Sequence, residues 1–379
     1  MGMVGGGEGA FIGAVHRIAA LMDGKIELVC GCFSADAERS RRSGLALQLD
    51  ESRVYSDFTE MMAAEAVLPK DTRMDFVVIV TPNNMHLPVA KAAFEQGFHV
   101  MSDKPAALDL AETQELLVAA TASGKLYGLT HTYLGYPMVQ EARERIANGE
   151  LGQIRKLVVE YNQGWLASGE AGDENKQANW RLDPARSGAS CCMGDIGTHA
   201  FNLAESIAGI RVTEICADIG ALVPGRVLDD DGTVMLRFEN GARGVLIASQ
   251  VAVGEENALT IKVYGEKAGL EWRHQDPNTL WLKYNDRPTA VIRTGGAGMS
   301  EAVNSMTRLP AGHPEGYLEA FANLYLHFAE RILAVEQRRS AASLAAQMPG
   351  LSDARRGMAF VETVVAASAS DRKWHLLKD

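Results

Sequence analysis

Asp195 and His199 stand four residues apart in the run Asp195-Ile-Gly-Thr-His199. In a helix that spacing puts a carboxylate and an imidazole on one face of one turn. Asp103-Lys104-Pro105 adds an ammonium just after a predicted strand. Taking the proton from a sugar or polyol hydroxyl calls for these groups. A positioned imidazole is the usual base near neutral pH, a role that falls to His199. An ammonium on the reacting oxygen stabilises developing alkoxide, a role for Lys104, which is equally suited to relaying the proton itself. Asp195 then orients the substrate through a neighbouring hydroxyl and biases the protonation of the other two. The arrangement works only if an amine, an acid and an imidazole from distant parts of the chain serve one hydride acceptor.

That acceptor is implied at the start of the chain. Gly5-x-Gly7-x-x-Ala10 fits the dinucleotide fingerprint between a strand and a helix. The first glycine permits the tight turn, and the second lets the pyrophosphate approach free N–H groups at the helix start. Five glycines between Gly5 and Gly13 are costly for a turn that holds no ligand. Gly5, Gly7, Gly9, Ala10, Phe11 and Ile12 are therefore the expected cofactor residues, with Phe11 facing the pocket. The second predicted strand ends in Phe33-Ser34-Ala35-Asp36, followed by Arg39, Arg41 and Arg42. A carboxylate at that strand end selects NAD, and a basic group accommodates the 2′-phosphate of NADP. Ser34 carries no charge, Asp36 stands further along and Arg39 is available, so both NAD and NADP remain open.

These residues need a frame to position them. The chain has 379 residues, 47% hydrophobic and 22% charged, which is ordinary for a globular enzyme and long enough for two cores. A net charge of −11 disfavours nucleic acid and anionic membranes as partners. No apolar run reaches membrane-spanning length and no signal peptide is expected. Cys30, Cys32, Cys191, Cys192 and Cys216 make no disulfide framework and are expected to be buried, reduced thiols of a cytoplasmic protein. Asp195 and His199 have no third ligand at zinc-like spacing, so no metal is expected.

Up to residue 130, predicted strands Met1–Val4, Ile26–Phe33, Asp75–Val80, Phe98–Met101 and Leu126–Thr130 alternate with helices such as His86–Gln96 and Leu110–Ala122. Such alternation predicts a doubly wound parallel Rossmann sheet with ligands at the C-terminal strand ends. Residues 131–379 predict a substrate-binding and oligomerisation domain of α/β type with an open, mostly antiparallel sheet. Helices are expected over Pro137–Ala147 and Asp195–Ala208, and a strand over Ile154–Tyr161. A polar loop runs on to Gly188. Strands come next over Val212–Leu222, Thr233–Phe238, Gly244–Gln250, Leu259–Tyr264, Gly269–Trp272 and Thr279–Tyr284. Asn240-Gly241 is a hairpin signal, Thr294–Ala311 reads as a loop, and Tyr317–Val335 and Ser352–Ala367 as closing helices. His131, Tyr133, Gln163, Trp165, Trp180 and Arg181 are secondary candidates: Tyr133, Trp165 and Trp180 for stacking on a sugar or nicotinamide, His131 for lining the cleft, Gln163 for its paired donor and acceptor, and Arg181 for binding substrate hydroxyls or pairing with an acid.

Together these residues resemble the Gfo/Idh/MocA family of sugar and polyol dehydrogenases. Thr81-Pro82-Asn83-x-x-His86 is similar to that family's loop beside the cofactor. Asp103-Lys104-Pro105 resembles its Glu-Lys-Pro motif with Asp for Glu. Gly194–His199 resembles its Asp-x-x-x-His catalytic helix. Gln163-Gly164-Trp165, Asn179-Trp180-Arg181 and His313–Tyr317 resemble the levoglucosan dehydrogenase branch. Only Met1–Val4 precede the glycines, a shorter first strand than is usual in the family.

The resemblance implies cofactor contacts from Thr81, Pro82, Asn83, His86, Asp103, Lys104, His131, Trp165 and Arg181. It implies substrate contacts from Lys104, Tyr133, Gln163, Trp165, Arg181, Asp195 and His199. It further implies a cis Lys104–Pro105 peptide and a homodimer or homotetramer formed through the second sheet. The implied activity is NAD(P)-dependent oxidation of a secondary hydroxyl of a sugar, cyclitol or levoglucosan-like anhydrosugar. Redox-neutral cleavage of a glycoside on the same scaffold and a non-catalytic dinucleotide or sugar sensor are the alternatives.

Overall fold

Five consecutive apolar residues, Phe76–Val80, leave no polar face for water, so the strand they form must be covered on both sides. In the computed structural model, which describes residues 1–168, 176–339 and 348–378, this strand is the centre of a parallel sheet. The sheet comprises β1 (Gly2–Gly5), β2 (Cys30–Cys32), β3 (Phe76–Val80), β4 (His99–Ser102) and β5 (Tyr127–Leu129), in the order β2-β1-β3-β4-β5. A lone parallel bridge between Gly31 and Val54 extends it past β2. The usual six-stranded dinucleotide-binding order is thus present with its outermost strand reduced to one bridge. The core under the sheet packs Val4, Val77, Ile79 and Val100 against Met61, Leu87, Phe94 and Leu116 from the helices.

β2 is shorter than the expected Ile26–Phe33. β1 begins at Gly2, which registers on Cys30, so residues 26–28 have no strand beside them. Three of the following helices are capped by aspartate. Asp36, Asp57 and Asp109 accept N–H bonds at the starts of Ala37–Ala46, Phe58–Ala66 and Leu110–Ser123. The first helix, Phe11–Leu21, differs: it starts from Ala10, which supplies no side-chain cap.

The chain divides into two compact units, Met1–Thr132 with Phe321–Arg355, and Tyr133–Ala320 with Arg356–Asp379. The two long helices near the C-terminus span Tyr317–Glu336 and Leu351–Ser368.

In the second unit, burial alternates along the strands, as a sheet covered on one face requires. Its strands are β6 (Ile154–Asn162), β7 (Val212–Gly220), β8 (Asp231–Phe238), β9 (Arg243–Ser249), β10 (Ala258–Gly265), β11 (Gly269–Arg273), β12 (Thr279–Lys283), β13 (Ala290–Arg293) and β14 (His375–Leu376). The order is β13-β12-β11-β10-β6-β9-β8-β7-β14. Among the described residues of this sheet only β6 and β9 pair in parallel, so the sheet is mixed and mostly antiparallel. The Asn240-Gly241 turn joins β8 to β9, with Gly241 at φ 86° and the Asn240 side chain accepting from Ala242 N. Helices Pro137–Ala147 and Thr198–Ala208 carry the buried residues Val139, Ala142, Phe201 and Leu203.

Three local expectations are corrected. The loop expected over Thr294–Ala311 carries a short helix, Glu301–Asn304, because the Ser300 side chain caps it. Part of the polar loop before Gly188, residues 169–175, lies outside the described residues, and the remainder contains the short helices Lys176–Arg181 and Pro184–Ser187. Cys30, Cys32, Cys191 and Cys192 are buried free thiols, whereas Cys216 is half-buried, since it sits on the less covered face of β7.

Candidate active site

The glycine loop is shaped by what a side chain would strike. Gly5 and Gly6 have φ of 84° and 70°, which an L side chain rarely adopts. A Cβ on Gly7 would lie 2.7 Å from Phe33 O, and one on Gly13 would lie 2.4 Å from Gly6 Cα. The close helix-to-loop packing that a third glycine provides in the fingerprint therefore falls to Gly13. Ala10 instead marks the bare start of the helix, with Phe11 68% exposed beside it and Ile12 half-buried. The N–H groups of Gly7, Glu8 and Ala10 are already bonded to Phe33 O, Ser43 Oγ and Gly7 O.

At the end of β2, Ser34 Oγ accepts from Asp36 N. Asp36 caps its helix, Oδ1 accepting from Arg39 N. Arg41 pairs with Glu51 at 2.6 Å and Arg42 with Glu8 at 3.3 Å, while Arg39 is exposed.

The next strand ends carry the Thr81–His86 and Asp103–Pro105 runs. Asn83 is buried at the head of a one-turn helix, Asn83–Met85, and Pro82 is half-buried before it. His86 was expected to touch the cofactor. Instead both its nitrogens face backbone carbonyls, Nδ1 to Pro105 O at 2.7 Å and Nε2 to Thr81 O at 2.9 Å, and the ring is 1% exposed. A ring kept neutral by burial carries one N–H and donates to one of those two carbonyls. Burial lowers its pKa, opposed first by the nearby Asp103 carboxylate.

Asp103 Oδ1 accepts from Lys104 N at 2.8 Å and from Thr130 Oγ1 at 2.9 Å. That carboxylate therefore fixes the turn that presents Lys104, and the Lys104–Pro105 peptide is cis. His16 Nε2 lies 3.9 Å from Asp103 Oδ2, beyond hydrogen-bond reach. Burial pushes the His16 pKa down to about 4, so that ring is neutral. His131 is likewise buried, and its pKa is held down to about 4 by burial.

The second unit carries the carboxylate and the imidazole. The expected helix Asp195–Ala208 is not α-helical throughout: Met193–Gly197 is a π turn and the α-helix begins at Thr198. Sequence spacing missed this because the turn is held from outside. Asp229, buried, accepts from Cys191 N, Met193 N and Ser190 Oγ at 2.9–3.0 Å. Burial raises its pKa despite those bonds.

Asp195 Oδ2 accepts from Gln250 Nε2 at 2.9 Å and Arg181 Nε at 3.2 Å. The Arg181 guanidinium lies over the Trp180 ring at 4.4 Å and over the Trp165 ring at 5.8 Å. The two indoles expected to stack on substrate thus stack first on Arg181.

His199, 8% exposed, meets the Tyr133 ring edge-on at 4.9 Å. Tyr133 was expected at the substrate. It is 3% exposed, and its hydroxyl is shared with Tyr161 and accepts from Asn257 Nδ2. It backs the imidazole. Burial pushes its phenol up to about 12, so it stays protonated. Gln163 Nε2 donates to Asn257 Oδ1 at 2.7 Å, and Trp165 Nε1 donates to Gln163 Oε1 at 2.8 Å. Tyr161, Asn257, Asp229 and Gln250 carried no local signal of a site; their roles arise from strands that meet only in the fold.

Residues 1–131 match the model of the oxidoreductase family with NAD-binding Rossmann fold, and residues 139–271 match the GFO/IDH/MocA C-terminal domain. The chain belongs to the Gfo/Idh/MocA family. It is similar to the uncharacterized oxidoreductase YfiI of Bacillus subtilis (strain 168), at 33% identity over 375 residues, 98% of this chain and 95% of that relative. It is also similar to an inositol dehydrogenase homolog from Azotobacter vinelandii. The crystal structure of that protein with NAD+ has a TM-score of 0.94 at 34% identity, covering 99% of this chain and 96% of that one. Its complex with NADH and myo-inositol has a TM-score of 0.91 at 32% identity, covering 99% and 96%. Levoglucosan dehydrogenase of Pseudarthrobacter phenanthrenivorans is 25% identical over 319 residues, 75% of this chain and 76% of that enzyme.

As a Gfo/Idh/MocA oxidoreductase, the protein carries an NAD-binding Rossmann domain, and the residues present fit that cofactor. The first helix offers uncapped N–H groups to an anion. The glycines leave a cradle that side chains would fill. Thr81 Oγ1 and Asn84 Oδ1, after the end of β3, are buried with no hydrogen-bond partner in the protein. Among the described residues no three His, Cys, Asp or Glu side chains gather as a metal set, and no described helix is long and apolar enough to cross a membrane.

Proposed function

We propose that the protein oxidises a secondary hydroxyl of a cyclitol or pyranose to a ketone, with a levoglucosan-like anhydrosugar as the next substrate class. The observation that carries this reading is the anchored pair on one helix start: Asp195, held by Gln250 and Arg181, followed by a buried His199 backed by Tyr133. Bound at the glycine loop, NAD supplies the hydride acceptor. His199 takes the hydroxyl proton as general base. Lys104 donates a hydrogen bond to the reacting oxygen and stabilises its developing negative charge. Asp195 accepts from a neighbouring hydroxyl, which makes the site selective for a vicinal diol. Arg181 keeps Asp195 ionised, because a cation favours the charged form.

The Azotobacter relative, crystallised with NAD+ and with NADH and myo-inositol, supports NAD and a cyclitol over the anhydrosugar. A homo-oligomer through the second sheet is part of the proposal. Its outward face carries a cross-strand row, Val291-Trp281-Glu271-Lys262-Val158-Val245-Met235-Cys216, in which Met235 is 41% and Val291 52% exposed. The compartment proposed is the cytoplasm, where free thiols persist.

The deciding test follows reduced nicotinamide by absorbance at about 340 nm. Inositols, glucosides and levoglucosan are each offered with NAD+ and with NADP+. Reduction with a cyclitol and NAD+ is the expected result. No reduction with any of them, from protein that melts cooperatively and binds NADH, would overturn the reading.

A further inference from the structure

Gln250 is a fully buried amide, 0% exposed, immediately after β9. Its backbone is fixed on both sides: its N–H donates to Asp230 O at 2.8 Å, and its carbonyl accepts from Leu166 N at 3.0 Å. Its side chain is used at both ends. Oε1 accepts from the Cys191 thiol at 3.4 Å, and Nε2 donates to Asp195 Oδ2 at 2.9 Å. With the backbone fixed on both sides and the side-chain amide bonded at both ends, the orientation that lets Oε1 accept from the thiol aims Nε2–H at the carboxylate. Arg181, which donates to the same oxygen, is 21% exposed at its side chain and bonds at 3.2 Å. Two donors thus converge on one carboxylate oxygen, and the fully buried one makes the shorter bond.

We infer that Gln250 is the positioning residue for Asp195: its amide sets the direction of the carboxylate and favours its ionised form. This rests on the reading of Asp195 as a carboxylate that meets substrate. The titratable groups near Asp195 include the Arg181 guanidinium, the thiols of Cys191 and Cys192, and the phenols of Tyr133 and Tyr161. Burial holds those thiols and phenols protonated.

Two substitutions separate positioning from packing. Gln250→Met keeps the volume and removes the donor. Asp195 then takes up a proton more readily, so the acidic limb of the kcat/KM profile, whose first proton is that of the base His199, gains a second proton and steepens toward a slope of about two below about pH 5. At its optimum kcat/KM falls about 10- to 100-fold, the worth of one hydrogen bond to a charged group. Gln250→Glu keeps the shape and still accepts from Cys191, but sets a second carboxyl against Asp195. The two acids then ionise in separate steps, and kcat/KM gains a new descending limb in the range of about pH 6 to 9, as the shared proton is lost.

Each variant is first checked for cooperative melting and for NADH binding by fluorescence. If Gln250→Glu does not fold, Gln250→Met alone decides. Profiles that keep the wild-type limbs and differ only by a constant factor, or are unchanged, overturn the inference. Asp195→Asn runs alongside: undiminished kcat/KM in that variant would instead remove the reading on which the inference stands.

Discussion

Two helix starts carry the residues of the proposed site, and they are built in opposite ways. The helix Phe11–Leu21 begins bare: its cap position is an alanine, and glycines clear the space before it. The helical segment from Met193 is saturated by other side chains of the protein. The Asp229 carboxylate and the Ser190 hydroxyl bond the N–H groups of Cys191, Met193 and Gly194. An uncapped start leaves its donors and its positive dipole end to an external anion. A start already satisfied by the protein holds its own side chains still and recruits no anion. The first is a place to bind; the second is a place to hold Asp195 and His199 in register.

The comparison breaks most visibly at the second start. His199→Asn should lower kcat by about 10²- to 10⁴-fold while leaving NADH affinity within about twofold. A stopped-flow assay with parallel fluorescence titration measures both, and a matching loss of NADH binding would mean that the two starts are not functionally separate. Next comes a cap added where none exists. Ala10→Asp should satisfy the bare N–H groups and set a carboxylate against the diphosphate, weakening NADH binding by about 10-fold or more. The fold itself should gain about 0.5–2 kcal/mol. Opposite signs in binding and melting temperature are the signature to look for.

Asp229→Ala should do the reverse. It leaves buried N–H groups unsatisfied, so stability drops by about 1–3 kcal/mol in urea unfolding, and NADH affinity is retained. A pH slope completes the comparison. Burial lowers the pKa of His16 and His274 from 6.5 to about 4. The unfolded chain therefore binds more protons than the folded one within that window. Folding free energy should fall as pH drops from about 6.5 toward 4, and His16→Phe should flatten that slope in melts taken across the window.

Much of this was legible in the residue pattern. Pro137–Ala147 was read to its bounds, because proline at its first turn and Asn-Gly after it are local signals. The parallel sheet followed from apolar runs between helical periods. Val54 escaped notice because one bridge carries no periodicity, and β14 because two residues are too few. Residue type does not announce that the His86 ring faces two backbone carbonyls or that Trp165 bonds Gln163 and lies against Arg181, because those contacts depend on how the chain folds back on itself.

The amino-acid order alone determined the strand and helix periods, the glycine loop, the Lys104-Pro105 run and the Asp195–His199 spacing, since each depends on neighbours within a few residues. Tertiary structure decided how the acid is held. Gln250 reaches Asp195 across 55 positions and Asp229 reaches Cys191 across 38. Backbone periodicity repeats over two to four residues, so it carries no information at such separations. Only the pairing of strands in the second sheet brings those donors and acceptors within three ångströms of each other.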